Sequence, residues 1–197
     1  MNKEEAIKCL KNYIETIYTD TNKQLKTNIY RGHSRSISTD IEDAIAIFIS
    51  DILPEDEYKI LSDPSIYMNH KKHRPDLLVI NKNNEVTLLI EIKANMGWCR
   101  DASNILNDMI NNDDIFKKEI QLKCEFSKKE AITVLYKNPK LLLVALTDGN
   151  CSKEKHIKNK DYARSINICQ FNLFSGWYDN LLNCEIFDFY DFIINNT

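Results

Sequence analysis

Two carboxylates and a lysine lie at the ends of two hydrophobic segments, at a spacing that could bring them together in an active site. The chain contains Pro75-Asp76, then fourteen residues, then Glu91-Ile92-Lys93. Two carboxylates close together repel unless a cation lies between them, and hard oxygen ligands of this kind suit Mg2+. An amine beside such a metal can orient or deprotonate a water, or stabilise charge on a phosphate. The set predicts metal-assisted phosphodiester hydrolysis.

The strand pattern indicates how these residues meet. We predict strands over 75–81 and 85–95, joined by a turn at 82–84 as an antiparallel hairpin, which places Asp76 level with residue 90 or 91. Side chains alternate between faces along a strand, so Glu91, Lys93 and Asn95 share one face. The opposite face is predicted to be apolar: Val86, Leu88, Ile90, Ile92 and Ala94. The alternative is an exposed Glu91–Lys93 pair, with Asp76 in a turn.

A helix over about 39–53 carries a third acid. Ser38 or Thr39 can cap this helix, and Pro54 ends it. Glu42 continues a row of residues that is otherwise apolar, and a carboxylate entering a buried surface requires a partner. A metal shared with Asp76 and Glu91 would supply one. The alternative is that Glu42 only offsets the helix dipole at a solvated end.

Nucleic-acid contacts are predicted at three places beside these elements. Cations and a helix N-terminus suit phosphate, and non-specific binding to a DNA backbone needs positive charge. The predicted contacts are Arg31, His33, Ser34, Arg35 and Ser36 before the helix, Lys71, Lys72 and Arg74 before Asp76, and Asn95 after the lysine. The alternative for each basic segment is an ordinary solvated surface. A basic loop over 151–164 could also reach a groove.

The remaining pattern predicts an α/β fold. We expect helices over 3–18, 101–124 and 128–136, strands over 66–69, 141–147 and 166–171, and an acidic, aromatic C-terminal tail. The order favours a mixed sheet of four to five strands, flanked by helices, in a single domain over 1–197. Its core would cover about 38–147, with peripheral helices at both termini.

Composition excludes several classes of protein. The 197 residues are 43% hydrophobic and 28% charged, which is typical of a globular chain and not of a disordered one. A net charge of -3 argues against a protein that binds nucleic acid through bulk charge. The six cysteines show no zinc-binding spacing, and no export signal or membrane span is apparent, so a cytoplasmic location is expected.

These residues resemble the motif of the PD-(D/E)XK nuclease superfamily, which has the restriction-endonuclease-like fold. The resemblance covers residues 38 to 147 and rests on Pro75-Asp76, on Glu91-Ile92-Lys93 and on the preceding helix with Glu42, in the order αβββαβ. It implies that Asp76, Glu91 and Glu42 bind a divalent metal and that Lys93 serves the attacking water.

The resemblance also implies an activity. The expected enzyme is a Mg2+-dependent type II restriction endonuclease, with Mn2+ as a substitute, that acts on double-stranded DNA and leaves a 5′-phosphate. Such enzymes commonly cut both strands as homodimers. Two alternatives remain open: a repair or junction-resolving nuclease, and a non-catalytic module of the same fold that binds DNA or protein.

Overall fold

The computed structural model describes residues 1–22, 37–68, 71–96, 102–117, 121–125, 131–148, 151–176 and 180–197. Its helices are α1 (Lys3–Asn22), α2 (Ser38–Ile52), α3 (Ser103–Phe116), α4 (Lys153–Ser165) and α5 (Ile186–Asn196). Its strands are β1 (Tyr58–Ser62), β2 (Ser65–Met68), β3 (Lys71–His73), β4 (Leu77–Asn81), β5 (Glu85–Asn95), β6 (Gln121–Glu125), β7 (Ala131–Thr147), β8 (Ile168–Ser175) and β9 (Leu182–Asn183).

All the strands in these segments belong to one mixed sheet. The order is β1-β4-β5-β7-β6-β2-β3, and β8 pairs with both β7 and β9. Most pairings are antiparallel, but β5, β7 and β8 run parallel to one another. The predicted mixed α/β fold is therefore confirmed, with nine strands in the described segments instead of four to five.

Helices cover both faces of the sheet. On one face, α1, α2 and α5 pack against strand residues such as Leu77, Ile90 and Val144. On the other face, α3 and α4 pack against residues such as Leu78 and Leu143. Since adjacent residues of β4 and β5 point into different layers, the central strands are buried on both sides. None of the described helices is long and apolar enough to cross a membrane.

The predicted hairpin forms in the predicted register. Leu77 pairs with Ile90 and Leu78 with Leu89, and this register places Asp76 level with Glu91. Asn84 turns the chain with a positive φ of 58°, a conformation that asparagine tolerates. One detail of the prediction is wrong. A bulge near the turn moves Val86 to the α3 and α4 face, because the extra residue reverses the alternation of side chains.

Two predicted helical segments instead contain strands. The helix expected over 101–124 ends at Phe116, and β6 occupies 121–125. The segment 128–136 was expected to be a helix, but its described part, from 131 onward, is the first half of the 17-residue strand β7. Residues 131–136 read Ala-Ile-Thr-Val-Leu-Tyr, and β-branched and aromatic side chains favour strands. Pairing between β6 and β7 stabilises both.

The basic segment 151–164 is also different from its prediction. It forms α4 and not a loop, and the Ser152 side chain caps this helix by accepting a hydrogen bond from the Lys155 main-chain N–H at 3.3 Å. The strand β1 is not predicted from the sequence, and it adds an edge strand to the sheet beside β4. The C-terminal tail contains α5, whose Phe189 stacks on Phe48 of α2 with a centroid separation of 6.1 Å.

Candidate active site

Asp76, Glu91 and Lys93 converge at one end of the β4–β5 hairpin. The Lys93 ammonium donates to Glu91 Oε1 at 2.6 Å and lies 3.8 Å from Asp76 Oδ2. It also donates to the main-chain carbonyl of Ile92 at 3.0 Å. The three side chains are between 19 and 25% exposed, so solvent can reach the cluster although most of its surface is buried.

The main chain fixes the aspartate in this position. Asp76 Oδ2 accepts a hydrogen bond of 2.6 Å from the N–H of Ile92, across the hairpin. The carbonyl of Asp76 accepts another from the N–H of Asp63 at 2.8 Å, where β1 ends. Both bonds depend on the pairing of β4 with its neighbours, so the fold itself orients this carboxylate.

The cluster holds more negative charge than its one lysine balances. Burial raises the pKa of Asp76, while the Ile92 N–H and the Lys93 charge oppose that shift. Burial also raises the pKa of Glu91, and the Asp76 charge adds to this effect against the lowering by Lys93. Raised carboxyl pKa values mean that an additional cation here would be stabilised by both acids.

Glu42, near the N-terminal end of α2, extends this acidic field. Burial raises the pKa of Glu42 to about 7, and the next largest cause is the charge of Asp76, opposed by Lys93. Its neighbour Asp43 is exposed. The structure therefore brings Glu42 within electrostatic range of the hairpin acids, while its role as a metal ligand stays a prediction.

The donor set suits a hard divalent cation bound by few protein atoms. Glu91 Oε1, the Ile92 carbonyl and Asp76 Oδ2 all surround the same ammonium group, so these oxygens face one small volume. Within the described residues, no three His, Cys, Asp or Glu side chains form a complete metal cluster. Mg2+ is commonly held by one or two carboxylates with water and phosphate completing its shell, and the residues present fit that mode.

The predicted DNA contacts fall in different environments. Lys71 and Lys72 are exposed on β3, and the Lys72 ammonium lies 5.8 Å from the ring centroid of Tyr67. Arg74 is 3.8 Å from Asp63, in a largely exposed pair. Asn95 lies at the end of β5 but is only 3% exposed, so its contact with DNA stays a prediction.

Five other predicted contacts, Arg31, His33, Ser34, Arg35 and Ser36, lie outside the described residues.

Two acids near the site were not found from the sequence. The charge of Asp63 raises the pKa of both Asp76 and Glu42, and Asp108 of α3 raises that of Glu91. Asp63 has a positive φ of 44° and precedes Pro64, a pattern typical of a turn. That pattern could have predicted the turn, but its position beside Asp76 depends on the pairing of β1 with β4.

Comparisons with known proteins bear on the fold. No protein-family model matches the chain, and no curated protein matches it. The chain is similar to the solved structure of NucC from P. aeruginosa ATCC27853 in its cAAA-bound form. The TM-score is 0.55 at 7% sequence identity, and the match covers 100% of this chain and 92% of that one. At this level of identity the likeness shows a shared fold.

Metal binding and proton binding at this cluster should compete. Because their pKa values are raised by folding, Asp76, Glu91 and Glu42 make the metal-free protein less stable as pH rises above the ordinary carboxyl pKa, and for Glu42 this loss extends to about pH 7. A bound cation removes that penalty. We expect Mg2+ or Mn2+ at about 100 times its Kd to raise Tm by roughly 5–10 °C at pH 8.

The same measurement at pH 5.5 should give a clearly smaller rise in Tm, because protons then occupy the carboxylates. Differential scanning fluorimetry against EDTA-treated protein measures both values. An equal rise at the two pH values, or a larger one at pH 5.5, would contradict a carboxylate site.

Proposed function

We propose that this protein is a metal-dependent endonuclease that hydrolyses phosphodiester bonds of double-stranded DNA, acting as a type II restriction enzyme. The convergence of Asp76, Glu91 and Lys93 at one end of the hairpin, with the lysine within 4 Å of both acids, carries the proposal. The similarity of the fold to the solved structure of NucC is consistent with this proposal.

In this proposal, Asp76 and Glu91 hold Mg2+ together with the carbonyl oxygen of Ile92, and Glu42 adds negative charge from α2. When bound, the metal supplies Lewis-acid stabilisation of the phosphate and activation of water. Lys93 orients the attacking water and stabilises negative charge on the phosphate, since its ammonium lies beside both carboxylates. The N–H of Ile92 favours the ionised form of Asp76, against the effect of burial on its pKa, and holds this carboxylate at the site.

Substrate binding is proposed to use the basic residues that precede the site along the chain. Lys71, Lys72 and Arg74 would contact the phosphate backbone close to Asp76. Further contacts to the phosphate backbone would come from the segment before Glu42, namely Arg31, His33, Ser34, Arg35 and Ser36. Asn95 would act on the substrate at the end of β5. Cutting both strands in one binding event would use two such clusters, so the proposed active species is a homodimer with two-fold symmetry.

Incubation with supercoiled plasmid DNA tests this function. We expect nicking and linearisation with Mg2+ or Mn2+, no cleavage in EDTA, and ends that carry a 5′-phosphate. A short palindromic duplex cut in preference to branched or mismatched DNA would favour the restriction role, and the reverse preference would favour a repair nuclease. No cleavage of any of these substrates with either metal would overturn the proposal.

A further inference from the structure

The helix α4 differs from the other described helices in its charge. Its 13 residues contain the cations Lys153, Lys155, Lys158, Lys160 and Arg164 against only two carboxylates. Each of α1, α2, α3 and α5 carries more carboxylates than lysine and arginine side chains. In a protein of net charge -3, α4 is therefore the described helix whose charge complements a polyanion.

The inner side of α4 is anchored by polar contacts. Tyr162 donates a hydrogen bond of 2.6 Å to Asn107 of α3, and Lys160 forms an ion pair with Glu185 at the start of α5. Nδ1 of His156 lies 3.0 Å from the side-chain amide nitrogen of Asn172 on β8. These contacts fix the rotation of the helix, so its other side is presented to solvent in a defined orientation.

The outer side of α4 carries exposed cations, one exposed apolar residue and the exposed carboxylates of Glu154 and Asp161. The side chains of Lys158 and Arg164 are 73% and 81% exposed, and Lys153 is exposed at the first turn. Ile157 lies among them with 59% exposure. The pairs of Lys158 with Glu154 and Arg164 with Asp161 are largely exposed, and such pairs contribute little, so phosphate can replace the carboxylates.

The side chains of Glu91 and Lys93 lie on the same face of the sheet as α4, because their strand partners Leu143 and Ala145 pack in the layer of α3 and α4. Asn107 of α3 accepts a hydrogen bond from α4, so these two helices adjoin on that face. A DNA molecule that contacts α4 therefore approaches the face of the sheet that carries the hairpin acid Glu91. The major groove, about 12 Å wide, accepts a helix of this kind.

We infer that the outer face of α4, formed by Lys153, Ile157, Lys158 and Arg164, docks duplex DNA. The lysines and the arginine contact phosphates, and Ile157 contacts apolar atoms such as thymine methyl groups. The inference rests on the proposed function, since it names the element that holds the substrate of that site. The two kinds of contact can be told apart by their salt dependence. Each phosphate contact releases counterions, whereas an apolar contact does not.

Fluorescence anisotropy with a labelled 25-base-pair duplex in EDTA tests the inference without cleavage. We expect the double variant Lys153→Ala, Lys158→Ala to bind on the order of 10- to 60-fold more weakly near 0.1 M salt, with a salt slope smaller by about 2. Ile157→Ser should weaken binding and leave the slope unchanged. Lys82→Ala, which removes an exposed lysine from the hairpin turn, is the matched control and should bind as the parent does.

The outcomes separate this inference from the proposed nuclease function. If the double variant binds duplex DNA as the parent does and with the same slope, the role of α4 is wrong, whether or not the parent cleaves plasmid. If the variant loses affinity for heparin and for single-stranded DNA as much as for the duplex, the commitment to duplex DNA is wrong. A parent protein that neither binds nor cuts DNA overturns both proposals. Loss of duplex binding, with plasmid cleavage by the parent, supports both.

Discussion

Replacing Asp76 by asparagine should reduce DNA cleavage by about 1,000-fold or more while the fold is retained. The change removes the negative charge that the proposed metal requires. The amide oxygen of asparagine can still accept the hydrogen bond that Ile92 N–H donates to Asp76 at 2.6 Å. Single-turnover cleavage of a duplex measures the loss, and circular dichroism with thermal unfolding checks the fold.

A suitable control removes a neighbouring charge that the proposed chemistry does not use. Asp63 is more exposed than Asp76, contributes to the same electrostatic field and occupies a left-handed conformation that asparagine accepts. Asp63→Asn should therefore retain cleavage within a few-fold. Equal losses in the two variants would indicate a general electrostatic effect, and unimpaired cleavage by Asp76→Asn would refute its role as a ligand.

Replacing Lys93 by alanine should lower the rate of cleavage by about 100- to 10,000-fold. The side chain lies 2.6 Å from Glu91 and 3.8 Å from Asp76, so its loss removes both the amine proposed to act on water and the local balancing charge. We also expect a lower Tm for the metal-free variant, because two largely buried acids lose their cation. Addition of metal should raise the Tm of the variant by more than it raises the Tm of the parent.

Lys137→Ala is the matched control for the lysine. Lys137 also donates to a glutamate on β5, Glu85, at 2.9 Å, but this lysine is 57% exposed. Exposed pairs of this kind contribute little to stability, so cleavage and Tm should both change little. Cleavage by Lys93→Ala at the parent rate would show that the amine has no part in the reaction.

The hairpin and the convergence of its three functional side chains were predictable because they depend on local signals. The alternation of residue types in β5 sets the faces of Glu91 and Lys93, and the turn at 82–84 sets the register with β4. Pro54 marked the end of α2 closely, since this helix ends at Ile52. In each case the residues that decide the structure lie within a few positions of one another.

The elements that were missed carry short or weak local signals and are stabilised by contacts with other parts of the chain. Residues 121–125 alternate between polar and apolar types over only five positions, and 131–135 pairs with them to form the sheet. The helix α4 has almost no apolar stripe, with only Asn159 and Ala163 buried, so periodicity could not reveal it. Its anchors on α3, β8 and α5 are contacts between polar side chains that no local pattern encodes.

Isothermal titration calorimetry with Mn2+ and the metal-free protein is the sharpest test of the proposed metal site, because it needs no knowledge of the DNA substrate. We expect saturable binding at pH 8, at least tenfold weaker binding in Asp76→Asn and in Glu91→Gln, and parent-like binding in Asp63→Asn. Absence of binding by the parent, or unchanged affinity in both cluster variants, would contradict a metal site at this end of the sheet.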